Sequence, residues 1–148
     1  WETQLLGYDI QGEAKEVAKQ HAAIALEQKG QVKRVMLFSG GELTVTVADA
    51  YGDGGPNQEY LMALAEALNG ETGIYALACD TDGVDGSKDV AGAYINNSTI
   101  ARAQDAGENL HAQLKGHNSH QFFKAIDDLI ITGPTNTNVN DFRVIVIE

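Results

Sequence analysis

Residues Ile74-Tyr75-Ala76-Leu77-Ala78-Cys79 form a short, unbroken apolar run that passes directly into Asp80-Thr81-Asp82-Gly83-Val84-Asp85-Gly86. The run suits a strand buried in the middle of a sheet, with a polar loop capping its end. The flanking patterns alternate between the two backbone periods. From Gly12 to Gln28, Ala14, Val17, Ala18, His21, Ala22 and Ala25 recur at three- and four-residue spacing, an amphipathic helix that ends at Gly30. Two β-rich segments follow, Arg34–Phe38 and Leu43–Val47, with Ser39-Gly40-Gly41 read as a tight turn between them. Pro56 then opens a second helix carrying Tyr60, Leu61, Leu64, Ala65 and Leu68, closed by Gly70. Helices near Ser98–Ala106, Asn109–Lys115 and Ser119–Ala125 precede strands at Leu129–Thr132 and Phe142–Ile147. This alternation predicts an α/β fold, a three-layer α/β/α arrangement with a mixed β-sheet and helices on both faces.

The 148 residues suffice for one ordinary domain with its own core. A formal net charge of −11 repels nucleic acid and anionic membrane at long range, and no local basic patch offsets it. It does not exclude small anions, which backbone N–H groups at helix starts can bind. Cys79 is the single cysteine, so no intrachain disulfide forms, and no apolar run approaches the ~18 residues of a membrane span; a cytoplasmic setting is expected. The chain opens at Trp1 and enters Leu5-Leu6-Gly7-Tyr8 almost at once, as a domain cut from a longer polypeptide would.

Asp80, Asp82 and Asp85 fall just past the carboxyl end of the buried strand, where open α/β sheets place ligand crevices. Carboxylates there can hold Mg²⁺, orient a hydroxyl or act as a base; equally, Asp and Gly can simply build a turn. A calcium loop is excluded because Gly83 and Val84 stand where oxygen ligands belong. Gly52–Glu59 brings a flexible loop to a helix start, suited to a phosphate or carboxylate, although neither a Walker nor a dinucleotide glycine pattern is present. Gly133–Asp141 offers hydroxyls and amides to a polar ligand or to its own turn. His117 and His120 read as surface or capping residues, since no ligand cluster accompanies them, and Cys79 reads as core.

Phe38-Ser39-Gly40-Gly41-Glu42, Gly54-Gly55-Pro56-Asn57-Gln58-Glu59, Asp80–Gly86 and Thr132–Asp141 together, in this order and spacing, resemble the MOFRL family. The resemblance implies residues 1–31 as a helical lead-in, 32–148 as the family domain, and a larger N-terminal Rossmann-like domain that this chain lacks. It implies an active site in the cleft between the domains, and glycerate 2-kinase activity, with ATP and Mg²⁺ as cofactors and D-glycerate as substrate. Some family members are labelled hydroxypyruvate reductases, which would need NAD(P)H; a non-catalytic ligand-binding or assembly module is a third reading, and a homodimer is compatible with each. On this basis Asp82 and Asp85 are the catalytic candidates, and Asp80 and Asp82 the metal candidates. Gly40, Gly41, Gly54, Gly55, Asn57, Gln58, Glu59, Thr135, Thr137 and Asn138 are the candidates for binding substrate or anion. One departure stands out: Pro56 occupies a position where the family often has Arg, removing a cationic clamp and an N–H donor.

Overall fold

A computed structural model describes residues 1–31, 34–47 and 51–148. Its elements are β1 (Glu2–Glu13), α1 (Ala14–Lys29), β2 (Val35–Thr44), α2 (Pro56–Leu68), β3 (Ile74–Asp80), β4 (Gly92–Ile95), α3 (Thr99–Asp105), α4 (Leu110–Lys115), α5 (Ser119–Ala125), β5 (Leu129–Ile130) and β6 (Asp141–Ile147). The strands form one six-stranded sheet in the order β1-β2-β6-β3-β4-β5. β1 runs parallel to β2, and every other pairing is antiparallel, so the sheet is mixed as expected. No helix among the described residues is long and apolar enough to cross a membrane.

Two parts of the expected layout change. The segment before α1 is a strand, not a helical lead-in: β1 pairs along β2 from Glu2 opposite Val35 to Glu13 opposite Thr44, at the edge of the same sheet. α1 in turn places Ala14, Val17, Ala18, Ala22 and Ala25 in the common core, so residues 1–31 are structurally continuous with the rest. The boundary expected at residue 32 lies outside the described residues. Second, Ser39-Gly40-Gly41 is no turn; it lies inside the continuous strand β2. Gly41 has φ +104, and a Cβ there would sit 2.2 Å from the backbone N of Ile10, so the two strands approach too closely for any side chain. β1 is irregular opposite this point, with register shifts between Leu5 and Ile10.

α2 is the central helix. Proline stands at its first turn, and Asn69, in the left-handed conformation at φ 48°, ends it. Tyr60, Leu61, Met62 and Leu64 are fully buried, between the sheet and the other helices. Sheet residues alternate accordingly: Leu37, Ala76, Ala78, Ile145 and Ile147 face the helices and are buried. On the opposite face Tyr75, Tyr94 and Phe142 are 39–41% exposed. β4 was not foreseen. Gly92 opens it where a Cβ would lie 1.9 Å from the carbonyl of Ala78, which ties that position to glycine.

Candidate functional site

The loop after β3 returns directly onto the start of α2. The carboxylate of Asp85, 1% exposed, accepts the backbone N–H of Asn57 at 3.0 Å and of Gln58 at 2.9 Å. It also accepts the side-chain amides of Asn57 at 3.2 Å and Gln58 at 2.9 Å. A helix start leaves free N–H groups and a partial positive charge, and here the protein's own carboxylate takes them. Burial pushes Asp85 up to about 6 against the pull of those hydrogen bonds. Asp85 thus caps α2 from within the chain, and Asn57 and Gln58, 1% and 0% exposed, give these donors to it.

Asn57 carries the contact inward, its side-chain N–H donating to Asp141 Oδ1 at 2.7 Å. Asp141 Oδ2 lies 2.6 Å from Arg143 Nη1, a fully buried ion pair on β6. Arg143 also donates to the Gly40 carbonyl at 2.6 Å and to Ser39 Oγ at 3.3 Å. Its guanidinium stands 5.7 Å from the centre of the Tyr60 ring, and the Tyr60 hydroxyl meets His21 Nδ1 at 2.8 Å. Burial, with Arg143 adding to it, lowers His21 to about 4, so this imidazole is neutral at pH 7. Gly40 and Gly41, expected among the anion-binding residues, lie in β2, where Gly40 accepts from Arg143 and Gly41 packs against the backbone of Ile10. Asp141, Arg143, Tyr60 and His21 were absent from the expected site. A signal existed for two of them, since alternation along Asp141-Phe142-Arg143 puts both charges on the face of Ile145 and Ile147.

Asp80 and Asp82 remain toward the surface. Asp80 Oδ1 accepts the N–H of Asp82 at 3.0 Å, and Asp82 Oδ1 accepts that of Val84 at 2.8 Å. Asn138 donates to Asp82 Oδ2 at 3.2 Å. Partial burial raises Asp80, with the negative charges of Asp82 and Asp141 adding to the effect. The segment 133–141 is laced to this loop: Thr135 donates its hydroxyl to the Thr81 carbonyl at 2.5 Å and its N–H to that of Asp82 at 3.2 Å. Val139 N–H donates to Thr81 Oγ1 at 2.9 Å, and Thr137 N–H reaches Thr135 Oγ1 at 3.4 Å. Gly83, at φ +96, packs so close to Gly133 that a Cβ would meet its carbonyl at 2.3 Å. As for Mg²⁺, no group of three or more His, Cys, Asp or Glu among the described residues is arranged to hold a metal ion. Asp80 and Asp82 do not make a metal cage by themselves.

A cavity of about 290 Å³ opens beside the start of α2, lined among others by Val45, Tyr51, Gly54, Glu59, His117 and Ser119. Glu59, 1% exposed, contacts Lys15 Nζ at 3.1 Å and His117 Nδ1 at 2.8 Å. Glu59 is thus anchored rather than offered as a free carboxylate. His117, expected as a surface or capping residue, is held in the left-handed region at φ 51° just past the end of α4, donates its N–H to the Leu114 carbonyl, and is only 15% exposed at its side chain. Gly54 and Gly55 border the cavity because nothing larger fits: a Cβ on them would strike Ser119 Oγ at 2.0 Å and the Asp85 carbonyl at 2.3 Å.

These features define an α/β domain built on a mixed six-stranded sheet, with the aspartate loop after its central strand β3 closing on the start of α2. The chain belongs to the MOFRL family, whose pattern matches residues 35–141. It is 49% identical over 148 residues to an Agrobacterium vitis protein bearing a provisional hydroxypyruvate reductase name, covering 97% of this chain and 38% of that protein. It is 36% identical over 145 residues to the D-glycerate 2-kinase of Thermotoga maritima, covering 95% of this chain and 34% of that enzyme. The crystal structure of a glycerate kinase from Thermotoga maritima matches the fold with a TM-score of 0.95 at 35% identity, covering 100% of this chain and 36% of that one. The chain therefore spans about a third of the length of these relatives.

Proposed function

We propose that the chain is the carboxyl-terminal part of a glycerate 2-kinase, its cleft completed by an N-terminal Rossmann-like domain. In that reaction the 2-oxygen of D-glycerate forms a bond to the γ-phosphorus of ATP, the β,γ-bridging P–O bond breaks, and ADP leaves. The hydroxyl proton goes to a carboxylate. Asp82 supports this reading: unlike Asp85 it is not buried, and two donors fix its carboxylate. Phosphoryl transfer depends on such positioning more than on covalent chemistry. Mg²⁺ would neutralise charge on the phosphates when bound; Asp82 itself orients and accepts the hydroxyl proton. The isolated chain, holding half of the cleft, is expected to be inactive.

The test uses the full-length protein with D-glycerate and Mg-ATP, reading ADP release. Asp82→Asn is expected to lower kcat about 10²-fold or more while leaving the fold intact. Full turnover in that variant sinks the role of Asp82. Oxidation of NAD(P)H with hydroxypyruvate, in the absence of ATP-dependent turnover, sinks the kinase reading and favours the reductase.

A further inference from the structure

The cavity beside the start of α2 is absorbed neither by the Asp82 chemistry nor by the Asp85 cap. Its volume of about 290 Å³ lies near the lower bound of sites for organic ligands and is roomy for a three-carbon acid. Its walls are largely apolar, supplied by Val45, Val47, Pro56 and Tyr51, and the Tyr51 ring is 62% exposed and free to stack. Anionic groups find little in it: Pro56 has no N–H, Asp85 takes the N–H groups of Asn57 and Gln58, and Glu59 lies in the wall. The polar feature is His117. Its Nδ1 stands 2.8 Å from Glu59 Oε1, and with Nδ1 donating to that oxygen, Nε2 is the ring atom left to accept from a ligand. Its backbone, held at positive φ by the Gly116–His117 turn, is a conformation that clusters at ligand sites.

We infer that this cavity binds the adenine ring of a nucleotide, with Tyr51 stacking on it and His117 Nε2 accepting from its exocyclic amino group. A guanine ring presents a carbonyl at the same position and would set acceptor against acceptor. The inference rests on the kinase reading for its nucleotide, yet the two can fail separately.

The 148-residue chain, labelled with ¹⁵N, is titrated with adenosine, ADP, guanosine and D-glycerate. Adenosine and ADP are expected to shift the amide signals of Gly52, Gly54, Gly55, His117 and Ser119, with guanosine weaker by about three- to tenfold. Tyr51→Ala removes an exposed ring and should weaken adenosine about tenfold. His117→Asn, which keeps a residue tolerant of positive φ, should erase the preference for adenosine over guanosine. Unchanged melting temperatures in both variants show that the fold survives; if one melts early, the other decides. Equal binding of adenosine and guanosine by the unaltered chain overturns the inference, as do shifts at these residues with D-glycerate alone. ADP release by the full-length protein without any adenosine shift here overturns it while leaving the kinase reading standing. Adenosine binding without turnover in the full-length protein does the reverse.

Discussion

The residue that decides the character of this site is Asp85. A helix start beside a glycine loop reads as an anion site, and it is one, but the anion is the protein's own carboxylate, held by two backbone and two side-chain N–H groups. Sequence shows the donors and the carboxylate as separate segments 27 and 28 residues apart and cannot show that they close on each other. Glycine choice follows from that closure. Gly55 has an ordinary extended backbone at φ −144°, so its constraint is space alone: a Cβ would lie 2.3 Å from the Asp85 carbonyl and 2.4 Å from its carboxyl carbon. Gly55→Ala is expected to destabilise the fold by about 3 kcal/mol by forcing the two loops apart. Chemical denaturation of the chain checks this, and a loss below about 0.5 kcal/mol, within the range of surface substitutions, would show that the loops give way easily.

At the scale of elements, β6 joins the site to the core. It lies between β2 and β3, and its Asp141 and Arg143 tie Gly40 and Ser39 of β2 to Asn57 of α2. Removing one member of a buried ion pair leaves the other charge without compensation, so Arg143→Met is expected to cost about 3–5 kcal/mol. Replacing both residues, Asp141→Asn with Arg143→Met, should cost less than the sum of the single changes in a double-mutant cycle; strict additivity would show that the two charges are not coupled. The elements that were legible had local punctuation: Pro56 and Asn69-Gly70 bracket α2, and the apolar run marks β3. Those that were not had none. β1 is an edge strand with most residues exposed, so no burial period marks it, and its partner β2 lies beyond α1. Within β2 the Gly40-Gly41 pair carries a turn signal locally, whereas its cause is a distant backbone, that of Tyr8 to Ile10. The aspartate loop was legible as the place of interest; the division of labour within it, Asp85 inward and Asp82 outward, was not.

Across the whole molecule, two buried groups with displaced titrations pull stability in opposite directions. Asp85 titrates near 6 in the folded chain, above the ordinary value of 3.8, so between those values the folded state binds the proton more readily. Its contribution is largest at low pH and is lost as pH rises from about 4 to about 6. His21 titrates near 4 when folded, below the ordinary 6.5, so there the unfolded chain binds the proton first. Its contribution is lost as pH falls from about 6.5 to about 4. The two windows overlap almost completely, and the shifts are each of the order of 3 kcal/mol, so the parent chain should show a nearly flat stability between pH 4 and 6. Asp85→Asn keeps the shape but removes the falling component; its stability should climb with pH across that interval. His21→Gln removes the rising component, and its stability should decline over the same range. Urea midpoints at pH 4, 5, 6 and 7 read this directly. Parallel profiles for the parent and both variants would mean that neither group is displaced, and that the polar network from Asp85 through Arg143 to His21 is open to water rather than sealed within the core.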